Sequence, residues 1–453
     1  MKNRIKQYLL AASMCVGLTA CSDFFEPIPG VQFGLDETFA SKQRTEEYLN
    51  NVYSYVREVT DAIHPNTYGG IFTEASLDGA NRWNKTYAEW TNGSFNSASA
   101  QASEYFSKYY QAIAKASTFI QNVDKCTEAA ASTRGKWKSE ARALRAYYYF
   151  ELLRLYGPIP LIGEDPIPLD ASLEELIKER NSVDECVNFI ATELQSAIDS
   201  GDLLQRAGKA NLGRMDVATC MALKAKLYLY WASPLFNGNT DQASVKNKDG
   251  KQLFPQTEDH SKWTQTRDAY ERFMTFATGQ GYKLTEVYTN GKLDPYASCR
   301  AAGEFFTTTW EAVDELIFVK LRDLYDYTYW VCPKFTDFQD TDVTGGGGYY
   351  TTQETVDLFF TKDGLTIEED PGYDKFEGIP GANNFTSGRY YDPNNPSRLY
   401  FDADKSKVLK QWKDREPRFY VNITYSGSIW LNEGKYNEEM LSLIHISEPT
   451  RPY

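Results

Sequence analysis

The feature that most constrains the fold is a helical spacing of apolar residues through the first part of the chain. Two long runs show it, and each places an apolar residue at every third or fourth position. The first run contains Phe106, Tyr109, Tyr110, Ile113, Ala116, Ile120 and Val123, and the second contains Trp137, Ala141, Leu144, Tyr148, Leu152 and Leu155. Such spacing puts one apolar stripe along a helix. Gly157-Pro158 follows the second run and predicts its end.

Three further helices are indicated by their first residues. Residues 182–185 read SVDE, a capping box that predicts a helix beginning at Ser182. Asp216 is placed to cap a helix that runs to Trp231, and a fifth helix is predicted over 263–277. Helices of this length in succession suggest a mainly α, tetratricopeptide-like scaffold, although no clean 34-residue repeat is present.

The character of the sequence changes after about residue 280. Glycine, proline, asparagine, aspartate and aromatic residues dominate, as in TGGGGYY at 344–350 and DPNNP at 392–396. These stretches predict long loops with short strands, one of them at 419–425. Binding sites usually lie on ordered loops that a rigid scaffold supports.

The beginning of the chain has the pattern of an export signal. Lys2, Arg4 and Lys6 precede a mostly apolar run over 8–18, too short to span a bilayer. The run closes on LTAC at 18–21, which resembles the lipobox of bacterial lipoproteins. We therefore expect a signal peptide at 1–20 and lipid attachment to Cys21. An ordinary secretory signal with an incidental cysteine is the alternative.

The remainder of the chain divides into three predicted parts. Residues 21–235 form the helical region and residues 236–440 the loop-rich region, which we expect to be incomplete. Residues 441–453, LSLIHISEPTRPY, do not continue the preceding pattern and resemble a translated sequencing adapter. This interpretation implies that the natural protein continues past Met440.

Charge and composition restrict the class of partner. The net charge of −14 and the pI near 4.9 argue against nucleic acid and against an anionic membrane surface. Aromatic residues make up 15% of the chain, and rings with polar groups suit both helix packing and sugar binding. Cys126, Cys186, Cys220, Cys299 and Cys332 lack zinc-site spacing. Cys186 and Cys220 fall inside helical patterns, so we expect buried thiols at these two positions.

Four separated segments have distinctive sequences: EARALRAYYYF at 140–150 continuing to LYGPIPL at 155–161, ALKAKLYLYWASPLFNG at 222–238, YYTTQETVDLF at 349–359 with KDGL at 362–365, and DREPRFY at 414–420. These segments resemble the SusD/RagB family of Bacteroidetes surface lipoproteins, in the order in which that family has them. The resemblance implies a SusD-like helical scaffold with a loop-rich portion. It also implies a lipid-anchored protein of the outer-membrane surface that binds a glycan without cleaving it and sits on a SusC-like TonB-dependent transporter. Some relatives take peptides instead.

No enzyme signature accompanies these motifs. The chain has no Gly-x-Ser-x-Gly elbow and no P-loop, and His64 and His260 lie outside any triad context, as surface histidines would. A pair of glycosidase carboxylates is compatible with the many acidic residues, but no pattern points to one. We expect no catalytic activity, no cofactor and no metal; Asp337, Asp340 and Asp342 miss the EF-hand pattern.

Two clusters are candidate ligand-binding segments. The first comprises Asp78, Asn81, Arg82, Trp83 and Tyr87, where one ring stands among groups that can hydrogen-bond hydroxyls. In the family this N-terminal loop region commonly contributes to the ligand surface. The second comprises Tyr325, Tyr327, Tyr329 and Trp330, whose alternation would place three tyrosine rings on one face of a strand. In both clusters, aromatic residues that only pack in a core are the alternative.

Three functions are therefore compared. A glycan-binding lipoprotein comes first, a peptide-binding relative second and an extracellular glycoside hydrolase third. An exposed aromatic platform would favour the first, a deep polar cavity the second, and converging carboxylates with raised pKa values the third.

Overall fold

The computed structural model describes residues 34–56, 76, 79–81, 89, 93–165, 167–168, 171–303, 314–320, 349–375, 380–404 and 407–429. The predicted signal peptide, Cys21 and the segment 441–453 lie outside these residues. The helices are α1 (Leu35–Ala40), α2 (Lys42–Tyr53), α3 (Ala100–Asn122), α4 (Ala131–Tyr156), α5 (Leu173–Leu176), α6 (Val183–Asp199), α7 (Val217–Ala232), α8 (Ser261–Gly279), α9 (Pro295–Gly303), α10 (Gln353–Asp357) and α11 (Pro417–Asn422). In the part of the chain described, no helix is long and apolar enough to cross a membrane.

The predicted helix ends are confirmed by the local geometry. Helix α4 ends at Gly157, whose φ of 68° favours glycine and whose amide donates to the carbonyl of Leu153. Ser182 and Glu185 form the reciprocal capping box at the start of α6. The carboxylate of Asp216 accepts the amide of Thr219 at 2.7 Å and caps α7. These ends depend on residues close in the chain, which is why the sequence predicted them.

The long helices stack in chain order, so the predicted mainly α, tetratricopeptide-like scaffold is confirmed. Helix α3 packs on α4, α4 on α6, α6 on α7 and α7 on α8. Their apolar faces, with residues of α2, form one core cluster that reaches from Phe39 to Phe254. Cys186 and Cys220 are buried and unpaired within it, as predicted.

The family motif at 140–150 serves this core. Arg145 is fully buried on α4, and its Nε donates to Glu193 of α6 at 2.7 Å while Nη1 donates to Ser117 of α3 at 3.0 Å. Tyr148 stacks on Tyr109 with ring centroids 5.9 Å apart. One helix thus joins its two neighbours through a buried guanidinium, and the motif is scaffold rather than ligand surface.

The loop-rich region has its own small core. The strands β1 (Ala80–Asn81), β2 (Tyr288–Thr289), β3 (Lys292–Leu293), β4 (Tyr349–Tyr350), β5 (Phe385–Thr386), β6 (Arg389–Asp392), β7 (Asn395–Asp402) and β8 (Val408–Leu409) pair antiparallel as β1 with β4, β2 with β3, β5 with β8 and β6 with β7. Aromatic residues from β6, β7 and α11 fill the core, and the rings of Tyr400 and Tyr420 lie parallel at 3.9 Å. The core therefore depends on stacked rings rather than on a helical stripe.

The predicted strand at 419–425 is wrong, because this segment begins inside helix α11. Pro417 occupies the first turn of that helix, where its missing amide is harmless and its fixed φ suits the helix. Phe419 and Tyr420 are both buried in the aromatic core, and a single helical turn brings them there. The alternating apolar pattern was too short to separate a buried turn from a strand.

Arg415 joins the last two family motifs. Its buried guanidinium donates through Nη2 to the carbonyls of Val356 at 2.6 Å and Phe359 at 2.7 Å, and through Nη1 to the hydroxyl of Tyr373 at 2.6 Å. The backbone of Glu416 adds a bond from its amide to the carbonyl of Phe360 at 3.0 Å. Segments more than fifty residues apart in the chain are thus held together by one side chain.

Candidate functional site

Two segments that are far apart in the sequence meet in the short ladder between β1 and β4. Ala80 pairs with Tyr350 and Asn81 pairs with Tyr349. The first strand belongs to the segment predicted to bind ligand at 78–87, and the second follows the predicted aromatic cluster at 325–330. The ladder therefore pairs the beginning of the first candidate segment with a strand that follows the second candidate segment in the chain.

A second contact joins the parts of the chain that precede the two candidate segments. Helix α2 is followed by one further turn that ends at Val56, and the ammonium group of Lys320 donates to the carbonyl of Val56. Residue 56 precedes the chain that leads to β1, and residue 320 precedes the chain that leads to β4. Phe318 and Tyr147, with ring centroids 6.2 Å apart, hold the second segment on the helical core. The two stretches of chain that end in β1 and β4 are thus in contact where they begin, at Val56 and Lys320, and where they end, at the ladder.

The described residues include little of the predicted site itself. Asp78, Arg82, Trp83, Tyr87, Tyr325, Tyr327, Tyr329 and Trp330 lie outside them, as do His64, Cys332, Asp337, Asp340 and Asp342. Asn81 lies in β1 and shares its ladder with Tyr349. Their roles as ligand contacts stay predictions.

Sequence reasoning missed Tyr350. Its side chain is 52% exposed, and its backbone pairs with that of Ala80 in the ladder. An exposed tyrosine offers an apolar face and a hydroxyl, which are the two features that a pyranose requires. The signal was present in Tyr349-Tyr350 after four glycines, but only the pairing with β1 places this tyrosine beside the other candidate segment.

A small cleft opens at Tyr55, the residue before Val56. It has a volume of about 230 Å³ and is lined by Asn51, Ser54, Tyr55 and Lys108. The first three residues come from the end of α2 and the turn after it, and the fourth comes from α3. Amide, hydroxyl, ring and ammonium groups therefore face one polar space.

The titratable groups in the described ranges do not form a recognisable reactive centre. His260 is a surface residue with an 84% exposed side chain beside Glu258, as predicted. Burial raises the pKa of the Cys186 thiol to about 12, so this thiol stays protonated and unreactive at neutral pH. No group of three His, Cys, Asp or Glu side chains among these residues could hold a metal ion.

Comparison with family models covers both regions of the chain. Residues 32–229 match a SusD-like model that is described as starch-binding and associating with the outer membrane. Residues 315–450 match the model of the SusD family. The first match spans the helical core, and the second spans the motifs joined by Arg415.

Individual relatives agree with this assignment. A SusD-like protein of Bacteroides ovatus is 27% identical over 175 residues, which is 37% of this chain and 30% of that protein. The solved structure of BT4246 is 24% identical with a TM-score of 0.65, over 84% of this chain and 64% of the other. A SusD-like protein from Bacteroides fragilis is 19% identical with a TM-score of 0.58, over 86% of this chain and 62% of the other. The chain thus spans less than two thirds of each relative, and the structural similarities establish the fold.

Proposed function

The chain belongs to the SusD/RagB family, and on this premise we propose that it is a cell-surface lipoprotein that captures an oligosaccharide or polysaccharide. The observation that supports this most is that the first candidate segment pairs through β1 with β4, the strand that follows the second candidate segment. The stretches of chain that lead to β1 and to β4 also start together, at the contact of Val56 with Lys320. The description of the matched family as starch-binding favours sugar as the ligand class.

The proposed surface uses rings and polar groups together. Trp83, Tyr87, Tyr325, Tyr329, Trp330 and Tyr350 would cover the C–H faces of pyranose rings, while Asp78, Asn81 and Arg82 would bond their hydroxyls. Such open surfaces bind with micromolar to millimolar dissociation constants, about −8 to −4 kcal/mol. Binding without cleavage needs no nucleophile, so we expect no turnover of any bound glycan.

Binding to a panel of polysaccharides and peptides tests the proposal. Trp83→Ala should weaken glycan binding about tenfold or more, because one stacked ring contributes roughly 1–3 kcal/mol in comparable base–ring stacking. Tyr350→Ala should act in the same direction. Tyr288→Ala is the matched control, since that tyrosine is 60% exposed on the separate β2–β3 hairpin.

The outcomes separate the three functions. Binding of peptides but no glycan would favour the peptide-binding alternative. Release of reducing ends above a heat-killed control, abolished by changing one carboxylate, would indicate a hydrolase. If Trp83→Ala binds normally and melts several degrees lower, Trp83 is a core residue and the Tyr325–Trp330 cluster becomes the leading candidate.

We propose that the protein is located at the outer membrane and is anchored there by lipid attached to Cys21. Each lipid methylene that enters the bilayer contributes about 0.8 kcal/mol, so several acyl chains would hold the protein there stably. Cys21→Ala should move the protein from the membrane fraction to the soluble fraction on detergent-phase separation. Retention of the variant with membranes would contradict lipid attachment at this residue.

Delivery to a SusC-like TonB-dependent transporter completes the proposal. Affinity purification of the tagged protein from outer membranes should recover such a transporter at a fixed ratio. Recovery of the protein alone, from membranes that contain the transporter, would contradict a stable complex.

A further inference from the structure

The cleft between helices α2 and α3 has a chemistry that differs from the proposed aromatic surface. Tyr48, Asn51 and Tyr55 follow one another at spacings of three and four residues, so they share one side of α2 and its final turn. Lys108 and Lys115 lie seven residues apart and share one face of α3. The ammonium of Lys115 lies 5.8 Å from the ring centre of Tyr48 and 6.0 Å from that of Tyr55.

The charges around the two lysines bear on what the cleft can bind. The chain carries 62 acidic and 48 basic residues, and some lysines, such as Lys125 and Lys251, contact carboxylates at 2.7–2.8 Å. Within the described ranges, by contrast, neither Lys108 nor Lys115 has a carboxylate within 4 Å. Lys108 is exposed and borders the cleft directly. An anionic group in the cleft would therefore meet positive charge that the protein itself does not neutralise.

The remaining lining suits a sugar ring. Asn51 offers an amide, Ser54 a hydroxyl and Tyr55 a half-buried ring, and the volume of about 230 Å³ suits a single monosaccharide rather than a long chain. We propose that this cleft binds one sugar residue that carries an anionic group, either the carboxylate of a uronic acid or a sulfate ester. Lys108 pairs with the anionic group, and Asn51 and Ser54 bond the ring hydroxyls.

The position of the cleft connects it with the proposed function, on which this inference rests. Tyr55 precedes Val56, whose carbonyl accepts a bond from Lys320. In the chain, Val56 and Lys320 precede the stretches that lead to the two candidate ligand-binding segments, so a sugar in the cleft would lie beside this contact. The inference narrows the ligand class from glycans in general to glycans that contain acidic residues.

Titration calorimetry with three probes of equal length tests the inference: a galacturonic acid oligosaccharide, a sulfated galactose oligosaccharide and a neutral galactose oligosaccharide. Exposed ion pairs are individually weak, so Lys108→Met should weaken binding of an acidic probe about two- to fivefold. Lys108→Glu should weaken it further, and added salt should reduce the difference. Binding of the neutral probe should not change.

Lys248→Glu is the matched control, because Lys248 is exposed, lies on a separate turn and changes the net charge equally. If it weakens acidic-probe binding as much as Lys108→Glu, long-range charge explains the effect and the inference is wrong. If the wild type binds neutral glycans at least as well as both acidic probes, the inference fails and the proposed function stands. If no glycan of any class binds, the proposed function fails with it. Preference for one acidic probe over the other identifies the anionic group.

Discussion

The helical region and the loop-rich region both rely on a buried arginine, but the two arginines meet different partners. Arg145 pairs with the carboxylate of Glu193, between helices that already pack through apolar faces. Arg415 donates to backbone carbonyls and a tyrosine hydroxyl, and thereby orders segments that have little regular structure. In the first region the guanidinium sets how preformed helices meet. In the second it supplies hydrogen bonds that secondary structure would otherwise provide.

Two carboxylates of the helical region and one of the loop-rich region differ in the direction in which their pKa is shifted. Burial raises the pKa of Glu140 and of Asp216 in the helical region, because desolvation outweighs their polar contacts. The guanidinium of Arg398 lowers the pKa of Asp294 in the loop-rich region to about 2, through paired bonds of 2.9 and 2.8 Å. Low pH should therefore act in opposite directions at these particular groups.

The largest effect is expected at Arg145. Arg145→Met leaves the buried Glu193 without its main partner and should lower the free energy of unfolding by about 3–5 kcal/mol. The double variant Arg145→Met, Glu193→Met should recover much of this loss, since it removes both charges. Thermal unfolding followed by circular dichroism measures both. Equal losses in the single and double variants would show that packing, not the charge pair, is responsible.

Arg415 should give the next largest effect, confined to the other region. Arg415→Met removes the guanidinium that donates to the carbonyls of Val356 and Phe359. It should lower the free energy of unfolding by about 2–4 kcal/mol. Hydrogen exchange should show lost protection over 349–429 while helices α3 to α8 keep theirs. Arg418→Met is the matched control, because Arg418 is exposed and its guanidinium bonds Glu416 on the surface; it should change the free energy of unfolding by less than about 0.5 kcal/mol. Uniform loss of protection over both regions would contradict separate cores.

Acid should destabilise the loop-rich region before the helical region, by a smaller free energy than the arginine substitutions. The folded pKa of Asp294 lies below its ordinary value of 3.8, so its stabilisation is complete above about pH 4 and is lost as the pH falls through about 2. Allowing for solvent screening, this amounts to about 1–2 kcal/mol. Protonation of Glu140 and Asp216 instead relieves a desolvation cost. Proteolysis between pH 4 and 2 should cleave the loop-rich region first, and Asp294→Asn should flatten its pH dependence. Earlier cleavage within helices α3 to α8 would reverse the comparison.

The helix caps provide the smallest test. Ser182 caps the long helix α6 and Thr352 caps the short helix α10, each by accepting an amide three residues on. Substitution of either residue by alanine should lower the free energy of unfolding by about 1 kcal/mol. Hydrogen exchange should place the Ser182→Ala loss in the helical region and the Thr352→Ala loss near Arg415. A loss shared by both regions in either variant would show that the two cores unfold together.

The sequence by itself determined the helical scaffold, its principal caps and the burial of Cys186 and Cys220. Helices satisfy their hydrogen bonds within the chain and repeat every 3.6 residues, so Ser182, Asp216 and Gly157 could be interpreted from their neighbours alone. The resemblance of the four motifs to the SusD/RagB family indicated the fold of the loop-rich region. Within the candidate site, the sequence supplied the chemistry of residues 78–87 and 325–330 but treated the two segments as separate.

Only the tertiary structure decided how the first segment pairs with the strand that follows the second. The Val56–Lys320 contact, the β1–β4 ladder and the bonds of Arg415 join residues that lie between about 40 and 270 positions apart. A single contact of this kind has no period and leaves no local pattern in the chain. For the same reason the helical turn at Pro417 was interpreted as a strand, and the exposed side of Tyr350 and the cleft beside Lys108 were not anticipated. Their positions depend on which distant residues pack against them.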